Sequence, residues 1–367
     1  MTENKDMSIY VHIPFCEQKC NYCAFASFCV NQAQIEDYLN DLCQEIEQRK
    51  VDNPIKTIYF GGGTPSLLSP EQFKRIVDAI YNNYNVYDNA EFTVEANPNS
   101  ITQEKLDMWK SLRVNRLSIG VQTLKEKNLR KIGRLHDKTM ALEKIKLARR
   151  QFDNVSADIL VGLEDEDGKQ LAKHASMLLD LGVKHISCYL LEVYENTKLY
   201  QMIEDRRYKP LGEEEMIASF NKLSSYLQDK GMTRYEISNF AYPGYESKHN
   251  LNYWARGEYL GFGLGAHSFV DGKRVANLDS FAGFKANKTE VESLSVTEQI
   301  EEIVMLGLRC CLGVDLTKLM ALGYDITLNE YYKDYIKEGV LTQEGETLFL
   351  NPVFYHLSNT IIANLLP

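Results

Sequence analysis

At 367 residues and 44% hydrophobic content, the chain is long enough to build one large domain and one small one around a substantial core, which excludes disorder as its ground state. A formal net charge of -10, with no long basic run, argues against work by phosphate neutralisation, so nucleic acid is not expected as a partner. Eight cysteines, three at ligand spacing and the rest scattered (Cys29, Cys43, Cys188, Cys310, Cys311), do not form a secreted disulfide framework; with no signal-peptide core and no run of about eighteen apolar residues, a soluble cytoplasmic protein without a transmembrane segment is expected, peripheral membrane contact being left open.

The first predicted element is an apolar strand over residues 8–13, followed at once by His12-Ile-Pro-Phe-Cys16-Glu-Gln-Lys-Cys20-Asn-Tyr22-Cys23. Thiolates are the usual protein ligands of iron-sulfur clusters, and three of them on a four-iron cube leave one iron without a protein ligand. The spacing lets all three sulfurs converge from one short loop. A zinc site, or three unrelated buried thiols, is the alternative that these residues leave open. His12 reads as a satisfied core or supporting histidine, and Cys29 is set too far from the motif to serve as a fourth ligand.

A helix follows, with Ile35, Tyr38, Leu39, Leu42 and Ile46 at helical spacing. The next strand, 56–60, ends in Gly61-Gly62-Gly63-Thr64-Pro65, a turn whose backbone can approach a ligand that a Cβ would obstruct. Ser69-Pro70-Glu71-Gln72 then reads as N-cap, N1 proline and capping-box glutamine. Further strands are expected at 91–95, 116–121, 155–161 and 185–191, each separated by a helical pattern, so parallel pairing follows. Polar groups fall at strand ends: the cysteines after the first strand, the glycines after the second, Glu95 after the third and Gln122 after the fourth. This placement matches the active face of a β/α barrel, although periodicity alone does not separate a barrel from an open doubly wound sheet. Arg134 and Asp158 fit the same pattern; each polar group taken singly reads as an ordinary ion pair or cap.

Beyond residue 231 the rhythm changes to a strand-like 234–237, a Gly-rich 257–265 and a polar 277–295. Helices near 297–309 and 328–338, a hairpin over 340–350 and a last helix then read as a small winged-helix-like unit. Its acidic helices favour a structural or substrate-covering role over DNA binding. Cys310-Cys311 reads as core packing on a helix. Three units are expected: 1–235, 236–290 and 291–367.

The three-cysteine loop, with Tyr22 just before the last cysteine, resembles the radical S-adenosylmethionine superfamily. The segments Tyr10 to Cys16, Gly61-Gly-Gly-Thr-Pro65, Val94-Glu-Ala-Asn-Pro98, Ser118-Ile-Gly-Val-Gln122, Gly133-Arg-Leu-His136 and Asp158 occur in the order, and nearly at the spacing, of the oxygen-independent coproporphyrinogen III oxidase group and its HemW-type relatives. The resemblance runs over nearly the whole chain. It implies an α/β fold, a partial (β/α)6 TIM-like barrel with a C-terminal winged-helix-like domain. It also implies a [4Fe-4S] cluster on Cys16, Cys20 and Cys23, with its open iron chelated by S-adenosylmethionine. Tyr10, Tyr22, Gly62, Gly63, Thr64, Glu95, Gln122, Arg134 and Asp158 would line the S-adenosylmethionine region.

Two features separate the branches of that group. Oxidase-type members carry a fourth cysteine two residues after the third, where this chain has Phe25, and His249-Asn-Leu-Asn-Tyr253-Trp254 matches the His-Asn-x-x-Tyr-Trp motif of the HemW-type branch. On the residues alone, His249 and Trp254 pack and hydrogen-bond locally; the resemblance instead implies haem binding by His249, Tyr253 and Trp254. The expected function is therefore a haem chaperone, carrying haem as cargo to recipient haem proteins, with coproporphyrinogen decarboxylation or another radical modification of a tetrapyrrole as the alternatives. No catalytic residue is assigned.

Overall fold

The computed structural model describes residues 6–367; the five residues before Asp6, read above as lacking a signal peptide's apolar core, lie outside it. Six strands, β1 (Met7–Ile13), β2 (Ile55–Gly62), β3 (Val86–Ala96), β4 (Arg116–Gln122), β5 (Asn154–Val161) and β6 (His185–Leu190), pair in parallel and in chain order. Parallel neighbours need a crossover, supplied by helices such as Gln32–Gln48 and Pro70–Asn83. Both open on a capping box, Asn31 with Gln34 and Ser69 with Gln72, so the helix starts are written locally in the sequence.

Alternation along each strand divides the sheet into two unlike faces. Ile9, Val11, Ile58, Phe60, Phe92 and Val94 are buried against the helices, where the Phe60 and Phe73 rings lie 4.8 Å apart. The residues between them, Tyr10, Thr57, Tyr59, Thr93 and Glu95, occupy the opposite face, and the register sets Tyr10 beside Tyr59 and Tyr59 beside Thr93. That polar inner face continues through Ser118 and Asp158 to Ser187. The six-unit α/β architecture expected from the sequence is present, with its polar strand ends gathered at one rim.

Among the described residues the sheet extends further than the sequence suggests, to 12 strands, with two added beyond β6 and four beyond β1. Beyond β6 lies a short antiparallel ribbon, β7 (Thr233–Arg234) and β8 (Asn239–Ala241), in place of the single strand expected at 234–237. Within the Gly-rich segment, β9 (Tyr259–Phe262) adds in parallel beside β1. A Cβ on Gly261 would come within 1.9 Å of the His267 carbonyl oxygen, so glycine is needed for the chain to fold back there. The strands β10 (His267–Val270), β11 (Lys273–Asn277) and β12 (Thr289–Ser293) complete that edge antiparallel. These strands are short, and β12 is exposed throughout, which leaves no apolar alternation to read.

One buried core runs from Met7 to Phe284. A second, from Ile300 to Leu365, is centred on Val304, Leu308, Leu319 and Leu348 and receives Ile237 from the barrel side. It is built on a three-stranded sheet, β13 (Val314–Asp315), β14 (Leu341–Glu344) and β15 (Thr347–Leu350), and on helices including Val296–Gly307 and Ser358–Leu365. Cys310 is buried and Cys311 exposed in the turn after Val296–Gly307; the expectation of a helical, packed pair is corrected, because Cys310 bridges to Glu236 across the two units and turns its neighbour outward.

Candidate functional site

The loop after β1 doubles back on itself, since Phe28 N donates to Pro14 O at 2.7 Å and Cys16 N to Phe28 O at 3.0 Å. Its far side is pinned by Asn21, whose backbone N donates to Ile132 O at 2.9 Å and whose side chain donates to Lys131 O at 2.8 Å. Cys16, Cys20 and Cys23 are thereby held half-buried, facing a cavity of about 870 Å³ at the carboxyl ends of the strands. Among the described residues no three histidine, cysteine, aspartate or glutamate side chains are gathered closely enough to hold a single metal ion. All three thiols line the cavity.

Hydrogen bonds link the loop to the strand ends. Cys16 Sγ lies 3.5 Å from Thr64 Oγ1, and Thr64 Oγ1 accepts from Asn97 Nδ2 at 3.0 Å. Asn97 Oδ1 in turn accepts from Arg134 Nη2 at 2.5 Å. Arg134 also donates to Gly120 O at 2.6 Å and to Cys20 Sγ at 3.3 Å, while its Nε is buried without a partner.

Across the cavity, Glu95 accepts from Tyr59 Oη at 2.7 Å and from Gly62 N at 3.2 Å. Burial pushes Glu95 up to about 7 despite the Tyr59 hydrogen bond, with Asp158 adding to the rise. Asp158 accepts from Ser118 Oγ at 3.2 Å and is likewise held above the usual carboxylate range by burial. Gln122 has φ of 66°, a left-handed conformation that a non-glycine residue adopts only when its surroundings impose it. At Gly62, φ is 111° and a Cβ would stand 2.5 Å from the His12 ring. Gly62→Ala is expected to lower stability by roughly 1–3 kcal/mol in chemical denaturation; an unchanged midpoint would show that the turn has room to give.

Of the residues expected at the site, Cys16, Cys20, Cys23, Tyr22, Gly62 and Gly63 line the cavity, as do Thr64, Glu95, Gln122, Arg134 and Asp158. Tyr10 stands one layer below. Its hydroxyl is 2.9 Å from His12 Nδ1, and His12 Nε2 reaches Ala26 O at 3.2 Å, so this pair props the cysteine loop from beneath.

The structure sets His249, which the resemblance places at haem, among local hydrogen bonds, as its residues alone suggest. His249 is 1% exposed on the short helix Lys248–Trp254, outside the cavity lining. Its Nδ1 is 2.7 Å from Thr57 Oγ1 and its Nε2 is 2.9 Å from Tyr253 Oη. Both ring nitrogens are therefore engaged. The helix is held at this depth by Glu91, which accepts from Lys248 N at 3.1 Å and His249 N at 3.0 Å. Burial, with the Arg116 guanidinium second, pushes His249 down to about 3, so the ring is neutral. It stacks on Tyr59 at 4.9 Å, the same tyrosine that donates to Glu95. Tyr253 and Trp254 lie outside the cavity lining with it.

The model of the radical SAM superfamily matches residues 10–178, and that of the HemN C-terminal domain matches residues 294–352. The heme chaperone HemW of Bacillus subtilis (strain 168) is 36% identical, over 97% of this chain and 98% of its own length. This chain belongs to the HemW family. The heme chaperone HemW of Lactococcus lactis subsp. lactis (strain IL1403) is 32% identical over 99% and 98% of the two chains. The fold is that of the coproporphyrinogen III oxidase HemN from Escherichia coli, described as a radical SAM enzyme, with a TM-score of 0.83 over 99% of this chain and 90% of that one at 20% identity.

The site of this HemW-family chain fits the cofactors that its superfamily implies. Three thiols stand beside a guanidinium. Two carboxylates face a space suited to a cationic sulfonium, and Arg134 keeps an orphaned Nε for a carboxylate. Tyr59, Asn97, Ser118 and Ser187 support the first set of residues and were not singled out from the sequence. The signal for three of them was there: each sits at every second position of a strand whose other positions are apolar.

Proposed function

We propose that this protein is a cytoplasmic haem chaperone that carries a [4Fe-4S] cluster and S-adenosylmethionine, binds haem and delivers it to recipient haem proteins. The observation that carries this reading is its end-to-end likeness to heme chaperones HemW. The cysteine loop supports it by stopping at three: the position two residues after Cys23 is Phe25, 71% exposed at the cavity wall. No helix of the described residues is long and apolar enough to cross a membrane.

Cys16, Cys20 and Cys23 would hold the cluster, and Arg134 would offset the charge of Cys20. The chemistry such a group supplies when bound is one-electron transfer at an open iron. Gly62 and Gly63 keep the wall beside it free of side chains, and Thr64 ties that wall to Cys16. Glu95 and Asp158 present negative charge to a cationic ligand, while Tyr59, stacked on His249, fixes the direction of Glu95. His249, held by Thr57 and Tyr253, then acts from beneath as a positioning residue.

Coproporphyrinogen oxidation is the second reading, favoured by the fold likeness alone. An anaerobic assay with reconstituted protein, S-adenosylmethionine, reductant and coproporphyrinogen III separates the two. No protoporphyrinogen is expected; its formation at more than background would replace the chaperone with an oxidase.

A further inference from the structure

The His249 ring is buried with hydroxyl groups on both of its nitrogens, Thr57 at Nδ1 and Tyr253 at Nε2. In a neutral imidazole one nitrogen donates and the other accepts, so its in-plane lone pair is taken whichever tautomer is present. Iron is bound through that lone pair. The helix that carries the ring is held at both ends. Glu91 accepts from its first two backbone N–H groups, and Arg256, two residues past its end, pairs with Glu302 of the C-terminal unit at 2.5 Å. For His249 to engage any outside group, its ring must therefore leave its present contacts.

One of those contacts leads straight to the cavity. The Tyr59 ring stacks on His249 with centroids 4.9 Å apart and planes at 29°, while the Tyr10 ring stands farther from it, at 6.2 Å. The Tyr59 hydroxyl donates to Glu95. Thr57 and Tyr59 are two positions apart on β2 and so share its inward face. The same strand therefore holds His249 through Thr57 and directs Glu95 through Tyr59, and its end supplies the second donor to Glu95, Gly62 N. A movement of His249 reaches the Glu95 carboxylate through a single aromatic ring.

We propose that Tyr59 couples the two ligands of this chain: the buried state of His249 favours S-adenosylmethionine, and capture of haem by His249 weakens it. The inference rests on the haem chaperone reading, with His249 as the haem ligand that the HemW-type motif implies. Taking His249 to the iron removes the ring on which Tyr59 stacks, and the Tyr59 hydroxyl no longer holds Glu95 in one direction. By linkage the effect is mutual, so S-adenosylmethionine bound beside Glu95 opposes the release of His249 and weakens haem by the same factor. The only bond formed is the dative one from nitrogen to iron, and no electron is transferred. Arrival of S-adenosylmethionine would then help to unload haem without being cleaved.

The test measures S-adenosylmethionine binding by equilibrium dialysis to the full chain with its cluster reconstituted, without reductant, in the absence of haem and at saturating haem. It is repeated with metal-free protoporphyrin IX in place of haem, and with Tyr59→Phe. Haem should weaken S-adenosylmethionine roughly fivefold or more, and a Soret titration at saturating S-adenosylmethionine should show haem weakened by the same factor. Protoporphyrin has no iron to draw His249 out and should leave the affinity unchanged. Tyr59→Phe keeps the ring and loses the hydroxyl, so S-adenosylmethionine should bind about tenfold more weakly, and haem should no longer alter its affinity. A merely structural role for Tyr59 would change the affinity but not the ratio. Bound haem that leaves the wild-type affinity for S-adenosylmethionine unchanged, a result that needs no variant to fold, overturns the coupling while the chaperone stands. Equal weakening by protoporphyrin, an undiminished ratio in Tyr59→Phe, or wild-type haem affinity in His249→Ala does the same. Failure of the wild type to bind haem overturns the chaperone reading and the coupling together.

Discussion

Replacing Cys16, Cys20 and Cys23 together by alanine is expected to bring iron and acid-labile sulfide from about four each per chain to background and to abolish the broad visible absorption. The reason lies in where these sulfurs are. They are half-buried on a loop and belong to none of the hydrophobic cores, and their bonds to the protein, among them those to the Thr64 hydroxyl and the Arg134 guanidinium, are polar. Alanine removes three ligands while leaving the Pro14, Phe28 and Asn21 backbone bonds that shape the loop. The apoprotein should therefore stay folded, with the thermal midpoint of the cluster-free wild type. A full complement of iron in the triple variant would contradict the ligand assignment; a chain that fails to fold would show the thiols to be structural.

Glu95→Gln is expected to have opposite effects on ligand binding and on stability. Two donors, Tyr59 and Gly62, aim at this carboxylate beneath a cavity suited to a cationic cofactor. Removing its charge should weaken S-adenosylmethionine about tenfold or more, the scale of one hydrogen bond to a charged group. In the ligand-free protein the sign reverses. Burial raises the group from 4.5 to about 7, so between those values the folded chain keeps a proton that the unfolded chain has released. Stability contributed by this residue is present below about 4.5 and falls as pH rises toward 7. Glutamine has no proton to lose and its amide can pair with the Tyr59 hydroxyl, which is free to rotate. The ligand-free variant should match wild type near pH 5 and exceed it near pH 8, in denaturation at both pH values. A variant less stable at pH 8, or one that binds S-adenosylmethionine as wild type does, would show that Glu95 is not a buried charge held for a ligand.

Much of this site could be read from the sequence because it is built locally. The cysteine spacing, the glycine turn after β2 and the polar ends of β3 and β4 each lie within a few residues of the strand that aims them, and all reach the same cavity. His249 shows the limit of that kind of reading. A motif says that a histidine and two aromatics travel together, but not which way their helix faces, and Glu91, 157 and 158 positions away from the backbone groups it accepts from, pulls that helix into the barrel. The added strands β9 to β12 were hidden for a related reason, being short, with β9 placed beside β1 by long-range pairing and the others built outward from it.

The most direct test of the chaperone mixes haem-loaded, cluster-reconstituted protein with an apo haem protein under anaerobic conditions and follows the recipient's Soret band, with mass spectrometry of the transferred tetrapyrrole. The expected result is saturable one-to-one loading followed by transfer of unmodified haem to the recipient faster than its appearance without the chaperone. Haem that stays bound, transfer no faster than that of free haem, or a tetrapyrrole of altered mass would contradict the chaperone and return the scaffold to the tetrapyrrole-modifying enzymes.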